Sequence, residues 1–224
     1  MKWQLLTPRP FGWHMKDLSS AKTSFNVLPN GSFEACIEHD IIKGCTPEMI
    51  AWWFGHIGGD MEYRGQRYPR YLVWHPVDHI HWALVKQAPG GGAGAGAKFR
   101  IVEAFNGNPN WLIDTTDEVV KLDHTGIRLR LKRFGLELYS LEHCFIPHPL
   151  GTQYISRLQV GSETALGKYL INPFLQRFIM TKVMTKAWLK HNIEEVGNFE
   201  FFLPALYEKE VVQKEQIAVL YERL

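Results

Sequence analysis

Apolar residues recur along this chain with two periods, and the change between them divides it. Alternation with period two dominates from about residue 99 to 160, the signature of strands that bury one face. It predicts strands over Phe99 to Phe105, Val119 to His124, Ile127 to Phe134, Leu136 to Ile146 and Gly151 to Val160. One face of the first carries Phe99, Ile101, Glu103 and Phe105, so a carboxylate interrupts an apolar row. Tyr139, Leu141, His143 and Phe145 share a later face, and Tyr154, Ser156, Leu158 and Val160 another, which turns the polar tips of His143 and Tyr154 inward.

Upstream, the pattern predicts strands at Tyr71 to Trp74 and His79 to Lys86 and a contribution from Phe33 to Ile42. Alternation puts His79, His81, Ala83 and Val85 on one face and Ile80, Trp82 and Leu84 on the other. Thr46 and Pro47 open a short apolar helix as cap and first turn. The spacing of Phe174, Phe178, Met184, Trp188 and Leu189 predicts a long helix from Asn172 to Val196, capped by Asn172 and stopped by Gly197, with Lys182, Lys186 and Lys190 on another side. Phe199 to Leu203 and a terminal helix from Pro204 to Arg223 are expected to pack outside. The Gly- and Ala-rich run Pro89 to Ala97 lacks the Gly-Lys-Ser/Thr ending of a phosphate loop and reads as a mobile hairpin loop.

Strands followed by a long helix give an α+β plan: a curved antiparallel sheet gripping the helix, with a cavity between them. Residues 1–45, with scattered Pro, Gly and Ser, read as an irregular arm, and 46–224 as the domain. The 224 residues can bury a large core, and eight Trp within a 13% aromatic content can line a pocket as well as fill one.

Charge narrows the partners. The net charge is +2, and the one basic run, Arg128 to Arg133, alternates with Ile127, Leu129 and Leu131, which is a solvated strand face and not a nucleic-acid patch. Three cysteines in no ligand-type pair point to a reducing compartment. With no apolar signal core near the start and no membrane-length segment, a soluble cytoplasmic protein is expected.

The chemistry gathers at His191 and Glu195, four apart on one helix face, where an imidazole and a carboxylate reach one point. Alone, such a pair is more often a helix-surface contact. Glu103 on its apolar face, which could instead pair with Arg100 or Arg177, and the two histidines of His75-Pro76-Val77-Asp78-His79 add further ligands for a divalent metal. Asp78 could cap the turn or orient a ligand histidine.

The segments Met49-Ile50-Ala51-Trp52-Trp53-Phe54-Gly55-His56, Tyr71 to His79, Glu103 and His191 to Phe199 together resemble the 2,4-diacetylphloroglucinol and phloretin hydrolases, over roughly residues 46–205. The resemblance implies a Bet v 1-like helix-grip fold and Zn²⁺ held by His79, Glu103, His191 and Glu195, with His75 as the alternative first ligand. Those four residues would also be catalytic. It further implies that Tyr71, His143 and Tyr154 meet phenolic hydroxyls of an aromatic ketone, and that the enzyme hydrolyses the carbon–carbon bond between an acyl group and a phenolic ring. A homodimer is possible in this reading. A carrier that uses the same cavity for an aromatic or lipid-like ligand is the alternative.

Overall fold

A computed structural model describes residues 3–221. Eight strands form one antiparallel path, in the order β1 (Lys22–Val27), β2 (Phe33–Glu38), β11 (Gly151–Val160), β10 (Leu136–His148), β9 (Gly126–Arg133), β8 (Leu112–Asp123), β7 (Lys98–Ala104) and β6 (His79–Lys86). The short β3 (Ile42–Lys43) also pairs with β11. A separate hairpin joins β4 (Asp60–Tyr63) to β5 (Gln66–Pro69). The long helix α4 (Lys182–Tyr207) is buried along most of its length, from Met184 to Leu206, in the manner of a helix gripped by its sheet. The expected α+β helix-grip architecture is the observed one.

The residues expected as an arm over 1–45 are part of this unit. Phe33, Ala35 and Ile37 alternate as buried positions of β2, which pairs with β11, so the strand expected within Phe33 to Ile42 is an integral part of the sheet. Phe11 is also buried, and Arg9 donates to the main-chain carbonyls of His75 and His79 at 3.2 and 3.4 Å.

Helix α1 (Pro47–His56) begins as predicted, with the Thr46 hydroxyl accepting from the Met49 amide. The predicted strand Tyr71 to Trp74 is instead a helical turn, α2 (Arg70–Trp74). Arg70 fixes it: the guanidinium donates to the carbonyls of Asp60 and His56 and to Glu210, leaving Tyr71 and Trp74, one turn apart, both facing the core.

The C-terminal helices also differ from expectation. Asn172 lies within α3 (Asn172–Phe174), and its side chain receives the Ser162 amide and donates to the carbonyls of Asn30 and Ser162. The break falls at Met180 (φ −128°, ψ 74°), after which the Thr181 hydroxyl caps α4. Gly197 does not stop the helix. Lys16 crosses beside it, and the apolar positions Phe199, Phe202, Leu203 and Leu206 continue the buried stripe, offsetting the roughly 1 kcal/mol that a helical glycine costs. Phe199, Phe202 and Leu203 therefore belong to the core, while Phe201 on the opposite face is exposed. After a wide turn at Glu208–Val212, α5 (Gln213–Tyr221) follows; the expected end at Arg223 lies outside the described residues.

Candidate functional site

Four of the predicted side chains meet. Single ligand atoms from His79, Glu103, His191 and Glu195 all lie within 4.8 Å of one another. His79 Nε2 is 3.5 Å from Glu103 Oε1 and 3.3 Å from Glu195 Oε2, and His191 Nε2 is 3.5 Å from Glu103 Oε2. Two carboxylates and two imidazoles thus converge from β6, β7 and α4.

A β-bulge brings His79 there. His79 pairs with Glu103 and His81 with Val102, so the register shifts at Ile80. The extra residue turns His79 inward together with Trp82 and Leu84, which pack on the main core, while His81 stacks on Trp3. Strict alternation had assigned His79 and His81 to one face.

The outer nitrogens settle which way each ring presents itself. His79 Nδ1 is 2.7 Å from the Tyr71 carbonyl, which can only accept, so that nitrogen carries the proton and Nε2 presents a lone pair. His191 Nδ1 is likewise 2.9 Å from Asp78 Oδ2. The Asp78 carboxylate also accepts from the amides of Asn106 and Gly107, and these partners hold it down at about 2 against the upward push of burial. His75 is turned the other way. Its Nδ1 accepts from the Asp78 amide at 3.1 Å, so its proton is on Nε2, directed toward Glu194 Oε2 at 3.5 Å. His75 groups with Asp78 and His191 and not with the two glutamates.

The donor set suits a divalent cation. Nε2 of both His79 and His191 is buried without a hydrogen-bond partner, facing carboxylate oxygens that also only accept when ionised. Electrostatics state the same demand. Burial pushes the Glu195 carboxyl up, and burial followed by the neighbouring imidazoles pushes His79 down. Burial also opposes charge on His191, yet Glu103 and Glu195 raise it above the ordinary histidine range. The pocket therefore calls for positive charge between its carboxylates.

Tyr71 stacks on His79 with ring centres 3.8 Å apart and donates its hydroxyl to Glu103 Oε1 at 2.5 Å. Asn192 donates to Glu195 Oε1 at 2.6 Å. Arg100 pairs with Asp114, leaving Glu103 for the cluster.

A cavity of about 500 Å³ opens against this cluster, reaching Glu103, His191 and Glu195. Its walls are mostly apolar, among them Ile101, Phe105, Leu141, Leu158 and Trp188. Tyr71, His143 and Tyr154 do not line it. His143 and Tyr154 do face inward, but the inward face of β10 runs from the hollow part at Tyr139 and Leu141 into packed interior at His143 and Phe145. There His143 Nδ1 and His39 Nε2 share the Ser156 hydroxyl at 2.9 and 2.8 Å. The cavity has instead a polar pair that sequence reasoning missed, Tyr139 hydrogen-bonded to Asp117, with the Thr115 hydroxyl donating to Asp117 at 2.7 Å. Burial pushes Asp117 up to about 6. The available signal was the inward Tyr139 of β10; its partner Asp117 could be found only from strand pairing.

Fold and site together define a helix-grip protein with a buried two-histidine, two-carboxylate centre at the edge of an apolar cavity. Residues 13–111 match the family model of the DAPG hydrolase PhiG domain, so this part of the chain is similar to that family. No curated protein matches it. Among solved structures, Ara h 8.0201 aligns at 8% identity and a TM-score of 0.47, over 81% of this chain and 99% of that one. Protein Ms6760 from Mycobacterium smegmatis aligns at 11% and 0.47, over 83% and 98%. Ginseng major latex-like protein 151 from Panax ginseng aligns at 11% and 0.41, over 71% and 97%.

Proposed function

We propose that this protein is a metal-dependent hydrolase that cleaves the carbon–carbon bond between an acyl group and a phenolic, phloroglucinol-type ring. The observation that carries the reading is the buried convergence of His79, Glu103, His191 and Glu195 on one point, with both Nε2 atoms lacking partners at the edge of an apolar cavity. The match to the DAPG hydrolase domain supports the substrate class.

These four residues would hold the metal, with Zn²⁺ the best fit to two imidazoles and two carboxylates. A divalent cation bound there polarises an acyl carbonyl and lowers the pKa of an attacking water. The chain's own groups do the rest. Asp78 and the Tyr71 carbonyl fix the tautomers of His191 and His79, and the Tyr71 hydroxyl and Asn192 orient Glu103 and Glu195. Phe105, Leu141, Leu158 and Trp188 exclude water from the aromatic ring. The Tyr139–Asp117 pair meets a ring hydroxyl, which donates to a free lone pair of the ionised carboxylate or of the tyrosine oxygen, whose own proton goes to Asp117. Water adds to the acyl carbon, the bond to the ring carbon breaks with its electron pair moving into the keto-form ring, and that carbon takes a proton. The products are a carboxylic acid and the deacylated phenol.

Elemental analysis and incubation with acylated phloroglucinols test the reading. Expected are about one zinc per chain and release of a carboxylic acid, with Glu195→Ala losing metal and at least about a hundredfold in turnover while the fold persists. Full activity after exhaustive chelation would overturn it, and tight binding of the aromatic ketone without turnover would establish the carrier instead.

A further inference from the structure

The stretch between the sheet and α4 exposes an unusual amount of apolar surface. Leu166, Tyr169, Leu170, Phe174, Phe178, Ile179 and Val183 are exposed, with Tyr169 at 71% and Leu170 at 65%. The backbone is helical from Gly167 to Ile179, wound wide at both ends around the α3 turn, and Asn172 pins it to the body. Its other side is not free: Phe174, Leu175, Ile179 and Met180 line the cavity wall. A single thin element therefore separates the cavity from the surroundings.

Charge identifies what the outer side faces. The sequence has no acidic residue between Glu163 and Glu194, yet it carries Lys168, Arg177, Lys182, Lys186 and Lys190. Lys190 pairs with Glu194, while among the described residues the other four form no ion pair. Lys168 Nζ lies 5.6 Å from the ring centre of Tyr169, and the Arg177 guanidinium 5.6 Å from that of Phe178, so cations and exposed rings sit side by side. Two copies of such a face packed on a twofold axis would oppose cation to cation. An apolar face rimmed by unpaired Lys and Arg, with aromatic rings between, is complementary to the headgroup region of an anionic bilayer.

We propose that residues 166–183 form an interfacial flap that rests on an anionic lipid surface, opening the cavity to apolar ligands dissolved there. Tyr169, Leu170, Phe178 and Val183 enter the acyl boundary, and Lys168, Arg177 and Lys182 meet lipid phosphates. The association is peripheral: no helix in the described residues is long and apolar enough to cross a membrane. The inference goes beyond the hydrolase reading and does not depend on it, since lipid partition is measured without turnover.

Cosedimentation of the full chain with vesicles of phosphatidylglycerol mixed with phosphatidylcholine, against phosphatidylcholine alone, is the test. The protein is expected to pellet with the anionic vesicles and to be released by salt. Two double variants, Tyr169→Ser with Phe178→Ser and Lys168→Glu with Arg177→Glu, change exposed side chains and should keep the circular dichroism and melting temperature, while each lowers the partition coefficient about tenfold. Wild-type protein that stays in the supernatant with both vesicle types overturns the proposal. So does a sedimentation-velocity dimer that the serine pair converts to monomer without lipid binding, which assigns the face to a second copy.

Discussion

On one side of the His79–Glu103–His191–Glu195 cluster, Trp53, Phe54, Trp74, Phe199 and Phe202 fill the space between α1, α2 and the C-terminal half of α4. Trp53 alone contacts the rings of Trp74, Phe199 and Phe202. On the other side, the N-terminal half of α4 faces the same sheet through Met184, Trp188 and Leu189, and the space between them stays open. The difference follows from chain density. The packed half has two helices inserted under the sheet, whereas among the described residues the hollow half is covered by the segment from Gly167 to Met180. The cluster stands at the seam, where rigid aromatic packing can position its ligands and the cavity can bring a substrate to them.

Core truncations give the largest expected break in this contrast. Trp53→Ala leaves a void among interlocked rings and should cost about 3–5 kcal/mol in chemical denaturation. Leu158→Ala, on a wall that already borders open space, should cost about 2 kcal/mol, the low end for a leucine. Equal losses would mean that the cavity closes in solution.

The same contrast explains what could be read from the sequence. Strands β6 to β11 and the start of α1 were legible because their apolar positions alternate or follow a Thr-Pro cap, both local signals. Three of the four converging residues were legible as well, from the spacing of α4 and the charge inside β7; the HPVDH segment offered both His75 and His79, and the family resemblance put His79 first. What escaped was set by distant partners. The bulge at Ile80 reverses a face, and only the pairing of β6 with β7 reveals it. Arg70 winds a strand-like Tyr-Leu-Val-Trp into a helix through carbonyls fourteen and ten residues away. His143 and Tyr154 were correctly turned inward, but whether an inward side chain meets a cavity or a packed neighbour depends on which helix lies beneath it.

Acid should sharpen the comparison next, because the packed half buries neutral imidazoles away from the cluster. Burial lowers both His39 and His143 to about 3 from the ordinary 6.5. The unfolded chain therefore binds these protons first as pH falls. Stability is fully present above about 6.5 and is lost progressively down to about 3, at up to about 1.4 kcal/mol per pH unit for each histidine. Denaturant midpoints measured across this window should fall with pH. Replacing His143 by Gln, which keeps a polar side chain beside Ser156 but does not titrate, should roughly halve the slope. An unchanged slope would place the acid sensitivity elsewhere.

The smallest effect, and the one that isolates the hollow half, concerns Asp117. Burial raises this carboxyl to about 6 against 3.8 in the unfolded chain. Between those values the folded state holds the proton that the unfolded state has released, so its contribution to stability is present below 3.8 and lost as pH rises through 6. Asp117→Asn removes that penalty and should raise the melting temperature at pH 7. If the Tyr139–Asp117 pair accepts from a ring hydroxyl, the ionised form is the competent one, and wild-type kcat/KM should fall as pH drops through about 6. The Asn variant should lose that limb and show a KM about tenfold higher, with kcat changed less and zinc content unchanged. A variant that is more stable yet has an unaltered KM and pH profile would make the pair a structural feature of the wall. A variant that loses metal would instead tie Asp117 to the carboxylates at the seam.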